Sequence, residues 1–440
     1  MARLNLGKDL RKKEEVSISQ GDRLRGIYCL GSTGTGKTTF LVNLMLQDIK
    51  AGRGLCFLSP VGDAIKDILT RLPSDREKDV ILFNPLFTAM VPGLNLFACP
   101  DPSSDEQVAL TSGLVMHVFQ KVFGVGSETP RLADVLRNVT ITLIESNLTM
   151  AEIPLLLQDN SFRSQVVRNL RNDQVRWWWQ TYNNLKPSEQ IEWVSSTLNK
   201  VNAFLTDPLI ARIISQTKST IDLRRVIDEN KLLLVELDPR LEDIATLLGT
   251  AIIAKILEAA YSRTDAPQQE RKLFGLYVDE LQRYETEDMA TLLAEARKFG
   301  IATTIAHQFR EQLSDRMKGA TFNAATTVVF KIGADDKDEV AALFNTTPSA
   351  PELQREEELI PRQNVVAHLL NYGHENPQVT DFIIRYLAPL ELASKQQPVS
   401  HPDGITISRS REHSPRKKVE GMIYPHADFP EGSRYRYYPT

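Results

Sequence analysis

The sequence predicts an α/β fold in which a mostly parallel central sheet is interrupted by an all-α insertion. Short apolar runs alternate with amphipathic helices on both sides of the insertion, which is typical of parallel strands joined by helices. The first apolar run leads into GSTGTGKT, a glycine-rich segment that opens a helix. Residues 105–222 instead repeat apolar side chains at helical spacing and carry almost no strand signal.

The first part of the sheet domain is expected over residues 22–104. RLRGIYCL (23–30) is the strand before the glycine-rich segment, and the order after that segment is helix, strand, helix, strand. Residues 1–21 are polar and charged, which predicts a frayed N-terminal arm or a docking arm. The segments that follow the glycine-rich loop are FLVNLMLQDIKAG (40–52), GLCFLSP (54–60), DAIKDILTRLP (63–73) and DVILFNP (79–85).

The second part of the sheet domain is expected over residues 223–394, after the insertion at 105–222. It alternates apolar strands with a long apolar helix and a shorter one, and ends in a hairpin. Residues 395–440 are polar, contain proline and are basic in the middle, which predicts a flexible tail. The predicted strands are KLLLVELDP (231–239), LFGLYVDE (273–280), IATTIAHQ (301–308), TTVVFKIG (326–333), NVVAHLL (364–370) and TDFIIRYL (380–387), with helices at 244–263 and 288–300.

Composition limits the partners and the compartment. The chain has 440 residues and a formal net charge of −4, so it has no global basic field and would have to hold a nucleic acid with local patches. Its three cysteines form no C-x-x-C pair, which favours a reducing compartment. We see no transmembrane stretch and no secretory signal, so a cytoplasmic protein is expected, with peripheral recruitment to a membrane complex as an extension of that expectation.

The segment GSTGTGKT fits the phosphate-loop pattern G-x-x-x-x-G-K-[ST] and has the expected strand before it and helix after it. Glycines let the backbone wrap a phosphate chain, and successive amide N–H groups at the helix N-terminus point at the anion. Lys37 supplies a positive charge and the Thr38 hydroxyl can ligate Mg²⁺. A glycine-rich turn with a chance lysine is the weaker alternative. The predicted nucleotide-binding residues are Gly31, Ser32, Thr33, Gly34, Thr35, Gly36, Lys37, Thr38 and Thr39.

Two adjacent carboxylates, Asp279 and Glu280, end the apolar strand 273–280. Burying such a pair is costly unless a cation or a reaction occupies the site. Beside a phosphate loop, Asp279 would serve Mg²⁺ and Glu280 would orient and polarise the attacking water. The rival acidic strand end carries Glu236 and Asp238, which alternate and precede a proline, and it ranks second.

These motifs, in this order, resemble the hexameric DNA-pumping ATPases that include the coupling proteins of type IV secretion and conjugation and the HerA and FtsK motors. The resemblance runs from about residue 22 to 390 and implies a RecA-like fold, ATP and Mg²⁺. Its most specific part is Asp279-Glu280, then Arg297, then Gln308. The segments that carry it are GSTGTGKTT, RLPSDREKDVILFNP, GLNLF, STIDLRRVIDENKLLLVELDP, LYVDELQRY, LLAEARKFGIATTIAHQ and FNAATTVVFKIG.

The resemblance also implies roles for residues outside the phosphate loop. Gln308 matches the polar residue that senses the γ-phosphate, and its amide can both donate and accept hydrogen bonds. Arg297 matches the arginine that these motors insert into a neighbouring subunit's site, with Arg25 as a weaker candidate at the same interface. With Lys37 and Glu280, these residues form the predicted catalytic set. Membrane-bound coupling proteins carry transmembrane helices before this domain and this sequence shows none, so we expect a soluble relative that acts with a separate partner.

Contacts to a polymer are harder to predict. Basic or aromatic residues on loops that face a ring's channel are the usual candidates. Arg316 and Lys318 follow a motor strand, and the insertion combines Arg171 and Arg176 with three consecutive tryptophans at 177–179. Such tryptophans are more often helix-packing core. A protein partner could bind the N-terminal arm, the insertion or the tail.

The function expected from these features is Mg-ATP hydrolysis at the subunit interfaces of a hexameric ring that moves DNA, whose strandedness the sequence does not specify. The alternative is a nucleotide-gated docking ATPase that assembles with a protein partner and translocates nothing. A small-molecule kinase is disfavoured because the acidic pair suits water as the nucleophile.

Overall fold

The protein is described from a computed structural model, which covers residues 3–9, 14–86, 90–330, 332–333, 336, 339–340, 364–371, 378–385 and 414–415. The chain divides into two compact units. The sheet unit takes residues 1–83 and 223–410, and the helical unit takes residues 84–222 and 411–440. The insertion therefore starts at Asn84, twenty-one residues before the start that helical periodicity predicts, because an irregular segment belongs with the helices.

The strands of the described chain are as follows, in chain order: β1 (Leu4–Asp9), β2 (Glu15–Ile18), β3 (Ile27–Leu30), β4 (Gly54–Ser59), β5 (Val80–Phe83), β6 (Met90–Val91), β7 (Leu232–Glu236), β8 (Phe274–Val278), β9 (Ile301–His307), β10 (Thr326–Val329), β11 (Asn364–Asn371), β12 (Gln378–Arg385) and β13 (Ser414–Pro415). β6 and β13 pair with each other within the helical unit, and the other strands form one sheet.

The sheet has the order β2-β1-β12-β11-β10-β3-β9-β8-β4-β7-β5. From β10 to β5 every neighbouring pair is parallel, and β11 and β12 form the predicted antiparallel hairpin. Strands β3, β4, β8 and β9 are buried along their whole length, as expected for a parallel sheet covered by helices on both faces. The predicted mostly parallel α/β fold with a helical insertion is confirmed.

The helices of the described chain have these bounds: α1 (Gln20–Arg23), α2 (Lys37–Lys50), α3 (Gly62–Thr70), α4 (Asp105–Phe123), α5 (Pro130–Glu145), α6 (Ile153–Gln158), α7 (Asn160–Val167), α8 (Asp173–Asn183), α9 (Pro187–Leu205), α10 (Pro208–Ile214), α11 (Leu223–Asp228), α12 (Glu242–Ser262), α13 (Glu287–Glu295) and α14 (Asp315–Phe322). Within the described residues, Pro239–Asp265, which contains α12, is the one helical stretch whose length and apolar composition would allow it to cross a membrane, and most of it is buried inside the protein.

The expectation of a frayed arm at residues 1–21 is wrong for the residues that the structure describes, while a docking role of this segment stays a prediction. β1 pairs with β2 and with β12, both antiparallel, at the far edge of the sheet. Leu4, Leu6, Val16 and Ile18 are buried, so apolar side chains on one face of these strands alternate with polar side chains on the other. The many charged residues of the segment make this two-residue period hard to recognise in the sequence. The predicted tail at 395–440 lies outside the described residues except for Ser414 and Pro415.

The order of three strands decides where the site residues meet. β9 lies between β3, which leads into the phosphate loop, and β8, which ends in the acidic pair. Leu30 pairs with His307 across β3 and β9, and Val278 pairs with Ile305 across β8 and β9. Because the strands are parallel, their carboxyl ends lie side by side at one edge of the sheet.

Candidate nucleotide-binding site

The glycine-rich loop takes the backbone course that its glycines allow. β3 ends at Leu30 and α2 begins at Lys37. Gly34 and Gly36 have φ angles of +76° and +106°, in the left-handed region that favours glycine. A Cβ on Gly31 would lie 2.4 Å from Cβ of Phe330, so that position needs glycine for packing. The helix starts with no acidic residue in its first turn, which leaves its N–H groups suited to an anion.

Lys37 is buried at this loop, with only 5% of the residue exposed. Its Nζ donates hydrogen bonds to the carbonyl oxygens of Gly31 (2.6 Å) and Ser32 (3.1 Å) and not to a carboxylate. Burial lowers the pKa of Lys37 from its ordinary value, although the nearby carboxylates of Glu280 and Asp279 oppose that shift. A phosphate would supply the negative charge that such a buried ammonium lacks.

Asp279, just after β8, and Thr38, in the first turn of α2, are joined by a hydrogen bond. The Thr38 hydroxyl donates to Oδ2 of Asp279 at 2.8 Å, and the backbone N–H of Asp279 donates to the carbonyl of Leu58. Asp279 is 4% exposed. Burial raises the pKa of Asp279, and the charge of Glu280 adds to the increase, while Thr38 and Lys37 oppose it. A cation at this position would stabilise the ionised form of Asp279 and so oppose the rise in its pKa.

The residues present fit Mg²⁺ on two counts. Ligands of an octahedral Mg²⁺ lie about 2.1 Å from the metal and therefore about 3 Å from one another, which is close to the separation of the Thr38 and Asp279 oxygens. Among the described residues no group of three or more His, Cys, Asp or Glu side chains could hold a metal. Mg²⁺ is usually bound by one or two protein oxygens together with substrate phosphates and water, and Thr38 and Asp279 would supply the protein oxygens of such a set.

Glu280 and Gln308 are in direct contact. Gln308 donates from Nε2 to Oε1 of Glu280 at 2.8 Å, and its Oε1 accepts from the hydroxyl of Thr33 at 2.8 Å. Gln282 donates to the second oxygen of Glu280 at 2.7 Å. Glu280 itself has φ +56° and ψ +54°, an uncommon left-handed conformation for a glutamate. The backbone at the end of β8 thus turns this carboxylate toward β9 and the phosphate loop.

The other residues of the predicted loop have supporting positions. The Thr35 hydroxyl donates to the carbonyl of Ser32 at 2.7 Å, within the loop. Thr39 and Thr38 line a groove of about 490 Å³ that runs between α2 and α3. From α3 the groove is lined by Asp63, Ala64, Lys66, Asp67 and Thr70.

The rival acidic strand end is used differently. Asp238 accepts from the backbone N–H and the side chain of Arg240, and so caps the turn after β7. Glu236 packs where Gly62 lacks a side chain, since a Cβ there would lie 2.3 Å from its Oε1. In the sheet, β7 lies two strands farther from β3 and its phosphate loop than β8 does, so Asp279 and Glu280 have the position that a partner of the loop needs.

Arg297 and Arg25 lie away from this edge. Arg297 is exposed in the 3₁₀ turn that precedes β9, and Arg25 is half-buried just before β3. β9 has seven residues, so Arg297 lies about 20 Å or more from the carboxyl end where Gln308 follows the strand. The structure therefore does not bring Arg297 to the phosphate loop of its own chain.

The candidate polymer contacts have varied surroundings. In the sheet unit, Arg316 is exposed and pairs with Glu287 at 2.8 Å, while Lys318 is half-buried 3.9 Å from Asp315. In the helical unit, Trp178 and Trp179 are buried and donate from their indole nitrogens to Asp134 and Thr142, whereas Trp177 is 63% exposed. Arg171 and Arg176 pair with Asp105 and Asp173. Two of the three tryptophans are therefore buried among packed helices, which is the more common role of such residues.

Sequence reasoning missed two buried clusters next to the site. One joins Arg23, Asp48 and Tyr277 beneath α2, and the other joins Tyr28, His307 and Arg310 beneath the phosphate loop. Nothing in the sequence distinguishes these arginines from exposed ones. Gln282 was missed too, although its position two residues after Glu280 could have suggested it.

Comparison with known proteins gives a fold but no sequence family. No protein-family model matches the chain, and no curated protein matches it by sequence. Solved structures do match. The plasmid coupling protein TrwB in complex with the GTP analogue GDPNP aligns with TM-score 0.59 and 16% identity, over 85% of this chain and 89% of that one. TrwB in complex with the ATP analogue ADPNP aligns with TM-score 0.58 and 16% identity over the same shares.

The structure of a second protein also matches. VirB4 of Thermoanaerobacter pseudethanolicus aligns with TM-score 0.56 and 14% identity, over 88% of this chain and 97% of that one. TrwB in complex with ADP and Mg²⁺ also aligns, with TM-score 0.56, 16% identity and coverage of 85% and 89%. The chain therefore has the RecA-like P-loop fold of these proteins over most of its length, as predicted.

Proposed function

We propose that this protein is an ATPase of the type IV secretion class that hydrolyses Mg-ATP at the subunit interfaces of a ring and uses the energy to move DNA. The observation that carries the proposal is the convergence of three segments far apart in the chain. Lys37 and Thr38, the pair Asp279 and Glu280, and Gln308 meet at one edge of the sheet. The fold shared with TrwB, whose complexes hold ATP and GTP analogues, ADP and Mg²⁺, supports it.

Each side chain has a distinct task in this proposal. The loop amides and Lys37 bind and orient the phosphates, because the buried ammonium gains most from an anion. Thr38 and Asp279 hold Mg²⁺, which when bound neutralises charge on the β- and γ-phosphates. Glu280 accepts a hydrogen bond from the attacking water and polarises it. Gln308, which already contacts Thr33 in the loop and Glu280, orients the water relative to the terminal phosphate.

The position of Arg297 supports a ring. This exposed guanidinium lies at the amino end of β9, away from the phosphate loop of its own chain, and in this proposal it serves the site of another copy. Its planar fork would stabilise charge on the transferred phosphoryl group. Arg25 lies toward the same edge and would belong to the same interface. Six copies per ring are part of the proposal.

DNA is proposed as the polymer, with Arg316 and Lys318 on α14 as contacts inside the ring. A cytoplasmic location, with recruitment to a membrane complex through a separate protein partner, belongs to the same proposal. The helical unit presents Trp177 at its surface, which makes it a candidate surface for that partner.

The primary test replaces Lys37 with alanine. The Lys37→Ala variant should lose ATP turnover to background while its circular dichroism and thermal midpoint stay close to wild type. Lys78→Ala, which removes an exposed lysine from the same unit, is the matched control and should hydrolyse ATP normally. Turnover that survives in Lys37→Ala would exclude this site as the ATPase centre.

The ring is tested by mixing two inactive variants. Arg297→Ala lacks only the proposed arginine, and Glu280→Gln lacks only the water-orienting carboxylate. Mixed rings should regain part of the wild-type turnover, because some interfaces then combine an intact arginine with an intact carboxylate. The absence of rescue at every mixing ratio would contradict a role of Arg297 in trans.

A nucleotide-gated docking ATPase is the second candidate, and the match to VirB4 over 97% of that chain keeps it open, since the shared fold does not itself specify DNA as cargo. DNA-stimulated hydrolysis separates the two. Several-fold stimulation by single- or double-stranded DNA supports the motor and also gives the strandedness. A flat response supports the docking ATPase.

A further inference from the structure

A second buried polar cluster lies beneath the phosphate loop, centred on Arg310. This arginine is fully buried, and it follows Gln308 by two residues. Its Nη1 donates to the hydroxyls of Tyr28 and Thr321, each at 3.1 Å, and its Nη2 donates to the carbonyl of Lys318 at 3.2 Å. Its guanidinium also lies 3.5 Å over the ring of Phe322. Three of these partners belong to α14.

Tyr28 carries the contact onward from Arg310 to the sheet. Its hydroxyl lies 2.7 Å from Nε2 of His307, and the two rings stack with centroids 5.4 Å apart. The carbonyl of His307 accepts from the backbone N–H of Gly31, the first residue of the phosphate loop, at 3.3 Å. His307 directly precedes Gln308, so the cluster touches both the loop and the residue that contacts Glu280.

The cluster joins the charged Arg310 to neutral side chains. Burial and the charge of Arg310 lower the pKa of His307 to about 3, so its imidazole is neutral at physiological pH. The Tyr28 hydroxyl accepts from Arg310 and shares a hydrogen bond with Nε2 of His307, whose donor is set by the tautomer of the imidazole. The chain of contacts therefore runs from α14 through Arg310, Tyr28 and His307 to the loop.

Packing alone does not explain why a charged side chain occupies the position of Arg310. A buried arginine is costly to desolvate, and an apolar side chain could fill the same volume at lower cost. The guanidinium of Arg310 has one carboxylate, the half-exposed Glu339 at 2.8 Å, and the backbone N–H of Arg310 donates to the buried Asp336 at 3.1 Å. The other hydrogen bonds of the guanidinium go to a carbonyl and to hydroxyls of two segments, α14 and β3. Such an arrangement fixes the distance between those segments.

We propose that Arg310, through Tyr28 and His307, is a positioning residue that couples α14 to Gln308 and the start of the phosphate loop. The inference rests on the proposed function, because α14 carries Arg316 and Lys318, the proposed DNA contacts. Nucleotide bound at the loop shifts the Gly31–His307 contact and Gln308, and α14 responds through the arginine. By linkage, a ligand on α14 affects the nucleotide site to the same extent.

The test measures hydrogen exchange of the amides in α14, residues 315–322, with and without a saturating non-hydrolysable ATP analogue and Mg²⁺. In wild type, bound nucleotide should change exchange in α14 by about five-fold or more, which is the lower end of typical coupling between sites. Tyr28→Phe keeps the ring and removes the hydroxyl that joins Arg310 to His307. In that variant the response of α14 should disappear while the Kd for the analogue stays within about three-fold of wild type.

Two further variants keep the result interpretable. Tyr182→Phe removes a buried tyrosine hydroxyl in the helical unit, where it donates to the carbonyl of Leu157 at 2.9 Å, and it should leave the response of α14 intact. Arg310→Met should abolish the response, and if that variant does not fold, Tyr28→Phe alone decides. An unchanged response in Tyr28→Phe, or no response of α14 in wild type, overturns the proposal. The experiment needs only bound nucleotide, so a failure of turnover or of DNA stimulation would leave this readout unaffected.

Discussion

Two clusters of charged side chains contact the two ends of α2, and they differ in how far their buried charges are compensated by partners within the protein. At the first turn lies the site cluster, which we define as Lys37, Thr38, Asp279 and Glu280. At the last turn lies the anchor cluster, defined as Arg23, Asp48, Arg53 and Tyr277. Asp48 forms an ion pair with Arg23, accepts from Arg53 at 3.0 Å, and accepts from the hydroxyl of Tyr277 at 2.7 Å. Tyr277 and Asp279 are two residues apart, so both face α2.

The difference lies in how the charges are compensated. In the anchor cluster, burial would lower the pKa of Arg23, yet Tyr277 and Asp48 raise it above its ordinary value. In the site cluster, burial dominates, so the pKa of Lys37 is lowered and that of Asp279 is raised. A cluster that holds the fold together satisfies its own charges, whereas this one leaves both signs under-compensated, in a form that Mg²⁺ and phosphate would complete.

The largest expected effect is a loss of ATP turnover, and it follows from a change in the site cluster. Glu280→Gln should lower ATP turnover by about 10²- to 10⁴-fold, the usual contribution of a positioned general base, because an amide cannot accept the proton of the attacking water. Nucleotide affinity and unfolding should change little. Steady-state turnover and equilibrium binding of an ATP analogue measure the two quantities. Glu270→Gln, an exposed position in the same unit, is the control, and turnover within ten-fold of wild type in Glu280→Gln would remove this residue from the mechanism.

The next effect is on stability and falls on the anchor cluster. Asp48→Ala leaves two arginines without their carboxylate and Tyr277 without its acceptor, so it should lower the free energy of unfolding by about 3–5 kcal/mol. Urea unfolding followed by circular dichroism gives the value. Asp63→Ala removes an exposed carboxylate on α3 and should cost less than about 0.5 kcal/mol. A loss below about 1 kcal/mol for Asp48→Ala would mean that the cluster contributes little to stability.

The smallest expected effect is a gain in the free energy of unfolding, opposite in sign to that of Asp48→Ala, and it depends on pH. Because the pKa of Asp279 is raised in the folded state, this carboxyl stabilises the fold at low pH, and that contribution is lost as the pH rises through the raised pKa. Asp279→Asn avoids the loss and keeps an acceptor for Thr38. It should therefore be more stable than wild type at pH 7, by roughly the 0.5–2 kcal/mol typical of a stabilising substitution, and lose Mg²⁺-dependent turnover.

The gap in stability between Asp279→Asn and wild type should close as the pH falls toward the ordinary carboxyl range. Urea unfolding at a series of pH values between 7 and 4 in the absence of Mg²⁺ measures this convergence. A variant that is less stable than wild type at pH 7 would show that Asp279 is compensated within the protein, and the contrast between the two clusters would then be lost.

The sequence by itself determined what depends on neighbours in the chain. The left-handed glycines and the lysine of the phosphate loop, the apolar strand that ends in Asp279 and Glu280, and the helical period of the insertion are all local patterns. The alternation of Leu4, Leu6, Val16 and Ile18 is equally local, but the charged residues between them dominate the composition, so the sequence predicts an arm where the structure has two strands.

The tertiary structure alone decided which distant groups became neighbours. Only the strand order puts β9 between β3 and β8 and so brings Gln308 to Glu280, while Arg297 lies at the opposite, amino end of β9. Nor does the sequence separate the buried Arg23 and Arg310 from an exposed arginine such as Arg316. The physical reason is that the cost of a buried charge depends on its partners in space, and for these residues the partners lie up to 282 positions away along the chain.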